Sequence, residues 1–329
     1  MSDVKCEKKG IKIPTYIPKK AHELPMFFEN KPYQGASGRV YPIPYCDGIS
    51  DEKTDVEYET YTLENEYVKT QVVPALGGKI LRGFDKVGNY DFIYYNEVVK
   101  PALVGLAGPW ISGGIEFNWP QHHRPTTFMP LEAIEEDNPD GGKTVWTGEV
   151  EPFGRMKGMA GITVDKGRSY IKAKVRVYNR TAFPQVFMWW ANLAVPVNNA
   201  YRTVFPPDCE WVNDHDRRAV LEWPIAKGLY KTARPYNFGK GIDLSHYDAV
   251  KVPSSYLISQ GQSDMDFISG YDTGINKGIA TVANHHISPG KKMWHWGIGD
   301  FGDMWCSNLT DKNGPYIEPV SYTHLTLPT

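Results

Sequence analysis

Between Gly108 and Pro130 the chain reads GPWISGGIEFNWPQHHRPTTFMP, which places Glu116, Asn118, Trp119, Gln121, His122, His123 and Arg124 almost side by side. An acid, two amides, two imidazoles, a guanidinium and an indole are expensive on one loop as mere packing. Together they read as a pocket wall with hydrogen-bonding groups and a stacking platform. Gly113-Gly114 permits a tight turn before them, and Pro120 and Pro125 stiffen the backbone on either side of the paired histidines. Adjacent His122 and His123 project to opposite sides of an extended chain, so one of the two enters the pocket. The plainer account is a loop whose His and Arg side chains cap backbone carbonyls.

A second cluster, VANHHISPGKKMWHWGIGDFGDMW at residues 282–305, offers His285, His286, His295, Asp300, Asp303 and three tryptophans. Trp294 and Trp296 fall on one strand face and His295 on the other. Aromatic strand ends packed in a sandwich core explain this stretch equally well. In DCEWVNDHDRR, residues 208–218, Asp214-His215-Asp216 are contiguous and converge poorly on one ion, so a solvated turn is expected and no metal site. Glu318, in NGPYIE, follows a turn on an apolar β segment, where a carboxylate must be paired, protonated or catalytic. The candidate acid–base groups are therefore Glu116, His122, His123 and Glu318. The candidate substrate contacts are Asn118, Trp119, Gln121, Arg124, His285, His286 and Trp296.

The elements that must position these groups read as strands. Tyr170–Tyr178 alternates strictly, with Ile171, Ala173, Val175 and Val177 on one side and Lys172, Lys174 and Arg176 on the other, as a half-buried strand does. The following run, Gln185–Val197, is apolar on both faces and is expected between two layers. Further strands are expected at Tyr67–Pro74, Gly78–Phe84, Asp91–Tyr95, Lys143–Val150, Gly161–Asp165, Ser255–Ser259 and Gly278–Ala283. Turns such as Gly77-Gly78, Gly88-Asn89 and Asp140-Gly141-Gly142 separate them. No helical apolar period exceeds two turns. Neither a dinucleotide glycine fingerprint nor a P-loop is present, so no cofactor is expected. Many antiparallel strands imply an all-β sandwich or barrel. Residues 1–60 read as an N-terminal arm with short strands, 61–320 as the main domain, and 321–329 (SYTHLTLPT) as an artefactual tail that leaves the domain truncated at its C-terminus.

Composition narrows the partner. Lys+Arg 36 against Asp+Glu 38 leaves no positive excess for nucleic acid. Trp 10, Tyr 20 and Phe 13 in a near-neutral chain suit the apolar faces and hydroxyl rims of sugar rings, although aromatics also simply fill β cores. The polar start MSDVKCEKKGIKIP has no signal-like apolar region, and no apolar run is long enough for a membrane span. Cys6, Cys46, Cys209 and Cys306 are scattered, as free thiols of a cytoplasmic protein would be.

The stretches ENEYVKTQVVPALGGKI and RVYNRTAFPQVFMWWANLAVPV resemble the opening and central strands of galactose mutarotase-like proteins. From about Tyr41 to Glu318 the chain resembles a bacterial family of domains of unknown function, number 5107, in that superfamily. SGGIEFNWPQHHRP, NHHISPGKKMWHWG and NGPYIE carry the likeness. The resemblance implies a β-supersandwich with a sugar cleft on one sheet, and members often carry tetratricopeptide repeats after the β domain. In mutarotases a histidine protonates the ring oxygen and a glutamate deprotonates the anomeric hydroxyl. By position His122 or His123 resembles the first and Glu318 the second, while the double His, Glu116 and Arg124 have no counterpart there. Three functions are compatible with these residues. The first is a glycoside hydrolase or epimerase with Glu116 and Glu318 as the carboxylates, ~5 Å apart for retention or ~6.5–9.5 Å for inversion. The second is a non-catalytic sugar sensor coupled to repeats missing from this chain. The third is a polysaccharide lyase using Arg124.

Overall fold

The computed structural model describes residues 3–23, 42–120, 123–152, 154–215, 219–230, 236–258 and 263–327. Two compact units share the chain. The first comprises Met1–Trp189, Asn308–Asn313 and His324–Thr329; the second comprises Trp190–Ser307 and Gly314–Thr323.

In the first unit β1 (Lys5–Pro18), β2 (Ile49–Glu64), β3 (Val68–Val73) and β4 (Lys79–Asp85) pair antiparallel in sequence order. The alternation of β3, with Val68, Thr70 and Val72 buried, fixes its register by placing those side chains on one face. Next to β4 lies β5 (Ile115–Asn118), with Ile80 opposite Ile115. Gly77 at the turn before β4 has φ +70°, and a Cβ there would stand 2.0 Å from the Thr127 carbonyl oxygen, so only glycine fits. A separate sheet is built from β6 (Glu132–Asp137), β7 (Lys143–Val150), β8 (Lys157–Val164) and β9 (Ile171–Tyr178), in the order β9-β8-β7-β6. Val145, Ala160, Ile162 and Val164 are its fully buried apolar residues, and Thr144 and Thr163 are fully buried beside them. The segment 308–313 returns to this unit: Asn96 Nδ2–H donates to the Leu309 carbonyl at 2.8 Å, and Asp311 is clamped by Lys53 and by Lys100 at 3.1 Å.

Two strands differ from expectation. β9 is exposed at Ala173 and Val175 rather than half-buried, because as the edge of its sheet it has a neighbouring strand on one side only. The run after it forms β10 (Gln185–Leu193), and Val186 is 63% exposed instead of lying between layers.

In the second unit the order is β15-β14-β13-β11-β12, formed by β11 (Trp211–Asp214), β12 (Ala219–Glu222), β13 (Ser254–Ile258), β14 (Gly290–His295) and β15 (Tyr316–Leu327). Val212, Leu221, Tyr256, Ile258 and Met293 come from alternate positions of these strands. They pack on one face with Phe205, Phe238 and Ile268. Each such side chain contributes roughly 1.5–3 kcal/mol on burial. Between β14 and β15 stands α1 (Asp300–Leu309), ten residues where the apolar periodicity predicts no helix beyond two turns. Asp300 and Asp303 favour its positive N-terminus. Gly302 lets its first turn close against the Gly297 and Trp296 carbonyls, from which a Cβ would stand only 2.4 and 2.8 Å away. Among the described residues no helix is long and apolar enough to cross a membrane.

His295 lies on the core face, 1% exposed between the rings of Tyr247 and Tyr256. The Gly297 N–H donates to its Nδ1 at 3.0 Å, so the ring proton sits on Nε2, which has no partner among the described residues. Burial pushes its pKa down to about 3 from 6.5. The unfolded chain therefore takes up this proton at a higher pH than the folded one. Stability present above about pH 6.5 is lost as pH falls toward 3, by at most ~1.4 kcal/mol per pH unit from this group. Urea midpoints measured at pH 7 and pH 5 should separate less in His295→Phe than in the wild-type chain; an equal separation would remove His295 from the acid sensitivity.

Candidate functional site

Alternation in β5 turns Glu116 and Asn118 to one side and Phe117 to the other, where Phe117 stacks on Trp189. The Glu116 carboxylate is 4% exposed and is filled by donors. Trp110 Nε1–H (3.1 Å) and the Thr127 hydroxyl reach Oε1; Asn118 Nδ2–H and His123 Nδ1–H, each at 2.9 Å, reach Oε2. Burial pushes the acid's pKa up, but the charge and hydrogen bond of His123, with those of Thr127 and Asn118, outweigh it and hold Glu116 well below the usual carboxylate range. Four donors occupy the four acceptor sites of a carboxylate, so Glu116 acts here as a fixed anion that orients the His123 ring and the loop carrying it.

The same loop is pinned a second time. The Arg124 backbone N–H donates to Asn118 Oδ1 at 2.7 Å, and its guanidinium reaches the Gly77 carbonyl at 2.6 Å and Glu149 at 3.2 Å while lying 4.2 Å over the Trp119 ring. Trp119 is 0% and Arg124 1% exposed. An indole with no accessible face offers nothing for a ligand to stack on, and a guanidinium so enclosed is framework. Asn118, also fully buried with both amide groups engaged, is framework too. Gln121 and His122 lie outside the described residues.

The second unit gathers a different set. On β14, Met293 and His295 enter the core, so Lys292 and Trp294 face the other way. Pairing extends that outer face across the sheet. Trp294 is opposite Glu318 on β15 and Ser255 on β13, and Lys292 is opposite Val320 and Leu257; Leu257 in turn is opposite Asn213 on β11. Glu318 and Lys292 are each 7% exposed, and Lys292 Nζ lies 4.9 Å from the Trp190 ring centre. Trp294 is partly exposed and braced edge-on by Trp296 at 4.6 Å; buried Trp296 in turn contacts Tyr316 and, on α1, Trp305. A carboxylate, an ammonium, a hydroxyl, an amide and oriented indoles thus share one face, the chemistry that recognises a polyhydroxylated ring.

Trp296 is accordingly a brace behind Trp294, being 2% exposed itself. His285 donates from Nδ1 to Asp266 at 2.8 Å in the turn before β14, with His286 against its ring at 4.0 Å. Asp214 is fully buried on the core face, Asp216 lies outside the described residues, and no cluster among the described residues is placed to hold a metal ion. Glu116 and Glu318 belong to different units. Lys292, Trp294, Trp190 and Ser255 were not singled out as candidates. The alternation of KKMWHW was the signal for the first two; the strand pairing that adds Glu318 and Ser255 leaves no local trace.

The chain belongs to the family described as Domain of unknown function (DUF5107), which matches residues 36–325. It is similar to the crystal structure of a TPR-domain containing protein from Parabacteroides distasonis (TM-score 0.84, 22% identity), covering 99% of this chain and 53% of that one. This chain therefore spans about half the length of that protein. A galactose mutarotase-like protein from Clostridium acetobutylicum (TM-score 0.53, 9% identity) covers 80% of this chain and 85% of its own. A putative aldose 1-epimerase from Klebsiella pneumoniae (TM-score 0.52, 10% identity) covers 84% and 76%. The fold is the galactose mutarotase-like β-sandwich.

Removing the buried anion should cost far more than removing an exposed one. Glu116→Ala strands the His123, Asn118, Trp110 and Thr127 donors, and the loss expected in chemical denaturation is ~3–5 kcal/mol. A loss under ~1 kcal/mol would mean the loop does not depend on this carboxylate.

Proposed function

We propose that this DUF5107 protein binds a carbohydrate on the outer face of β15, β14 and β13 and acts on it by acid–base chemistry, as a sugar epimerase or glycoside hydrolase, with Glu318 as the base. The observation that carries the reading is the meeting of buried Glu318, buried Lys292 and the partly exposed Trp294 on one face of one sheet. Trp294 supplies a flat apolar platform for a ring, and Ser255 and Asn213 supply hydrogen bonds to its hydroxyls. In an anomer exchange Glu318 takes the proton of the anomeric hydroxyl while an acid protonates the ring oxygen, so that the bond from the anomeric carbon to the ring oxygen breaks and re-forms on the other face. Lys292 is the acid on this face. The likeness in fold to proteins described as mutarotase-like and aldose 1-epimerase supports the substrate class by analogy alone.

A second reading is a sugar sensor without turnover. It is favoured by the similarity to a TPR-domain containing protein of which this chain spans 53%, since repeats are built to relay contacts to partners.

Both are tested by following product release and anomer exchange over a panel of free sugars and aryl glycosides, with binding measured by calorimetry. Glu318→Gln should lower turnover at least ~100-fold with little change in affinity, whereas Trp294→Ala should weaken binding at least ~10-fold. Binding that is lost in Trp294→Ala, with no turnover in the wild-type chain, selects the sensor. Binding indifferent to Trp294 would refute the sugar face itself.

A further inference from the structure

The outer face does not stop at β13. On β11, Asn213 and Trp211 continue it, and on β12 Glu222 stands directly opposite Trp211. Their core-facing neighbours, Val212 and Leu221, are 0% exposed, whereas Trp211 is 43% exposed and Glu222 is also open to solvent. Exposure therefore rises across one continuous face, from Glu318 through half-buried Asn213 to Trp211 at the far strands.

Strand geometry gives the separation of the two indoles. Trp294 is opposite Ser255, and the His215 N–H donates to the Ser255 carbonyl at 2.9 Å, so His215 marks the same level on β11. Trp211 stands four residues before His215. Two strand spacings sideways and four residues along place the Trp211 and Trp294 backbones ~16 Å apart. One pyranose ring cannot touch both platforms; a short chain of linked rings can. Ser255 and Asn213 lie between the platforms with hydroxyl and amide groups, and Glu222 adds an acceptor beside Trp211.

Resting on the sugar face proposed above, we infer that the face continues to a distal subsite at Trp211 and Glu222, and that the ligand is an oligosaccharide rather than a free monosaccharide. Trp211 stacks on a ring remote from the one at Glu318, and the polar side chains between them accept and donate along the linking rings.

The test is calorimetry with mono- to hexasaccharide ladders of gluco- and galacto-configured sugars. The wild-type chain, Trp211→Thr, Trp211→Phe and Trp294→Ala are compared, with circular dichroism to show that each variant is folded. Affinity should rise at least ~10-fold from the monosaccharide to the longest ligand of the preferred ladder. Trp211→Thr should abolish that rise and change monosaccharide affinity less than ~2-fold, and Trp211→Phe should restore most of it. Affinity independent of length, or an equal loss at every length in Trp211→Thr, overturns the distal subsite while leaving the proximal sugar face standing. Absence of binding by any ladder member, or binding unaffected in Trp294→Ala, overturns both.

Discussion

A strand that commits one set of alternate residues to a core has no freedom over the other set. In β14, Met293 and His295 are held among Tyr256, Val212 and Ile258, and this alone turns Lys292 and Trp294 outward. Neighbouring strands inherit the constraint through their register, so Ser255 and Glu318 must share the outward side. The position of the proposed site is thus a by-product of where the hydrophobic side chains had to go. Shifting β14 by one residue would turn Lys292 into the core and Met293 out of it, a change no rearrangement of loops could offset.

The Glu116 network is arranged the opposite way. Here polar groups are drawn inward, and each finds a partner: a carboxylate with four donors, and a guanidinium shared between a carbonyl, a carboxylate and an indole face. Such a cluster is stable only when complete, because any missing partner leaves a desolvated charge. The result is a loop locked to Gly77 and Glu149, with His123 as the ring it orients. The density of functional side chains in that loop reflects this locking as much as any encounter with a ligand.

Local rules made much of the fold legible. Period-two patterns in VKTQVV and KTVWTGEV and the Gly-Gly turns mark β3, β7 and the entry to β4. The all-β class rests on them; the candidacy of Glu318 rests on a carboxylate set in an apolar β segment after a turn. Nonlocal facts were less accessible. The exposure of Val175 depends on β9 being an edge, and the enclosure of Trp119 depends on Arg124 folding over it. α1 was hidden because its glycine, unfavourable for an isolated helix, is required by a carbonyl several residues earlier. For the site, composition names residue types, and strand pairing decides which of them meet.

The return of residues 308–313 to the first unit bears on the order of assembly. Asn96 finds its carbonyl partner 213 positions away, and Lys53 and Lys100 find Asp311 at separations of 258 and 211. On a ribosome these partners emerge only after nearly all of the second unit has been made, so the early strands must wait, collapsed but unclosed, while more than a hundred later residues are added. Contacts so remote in sequence slow the search for the native state and prolong the time in which β-rich segments can pair with other nascent chains. For such a chain, translation speed and the availability of holding chaperones become determinants of yield in their own right.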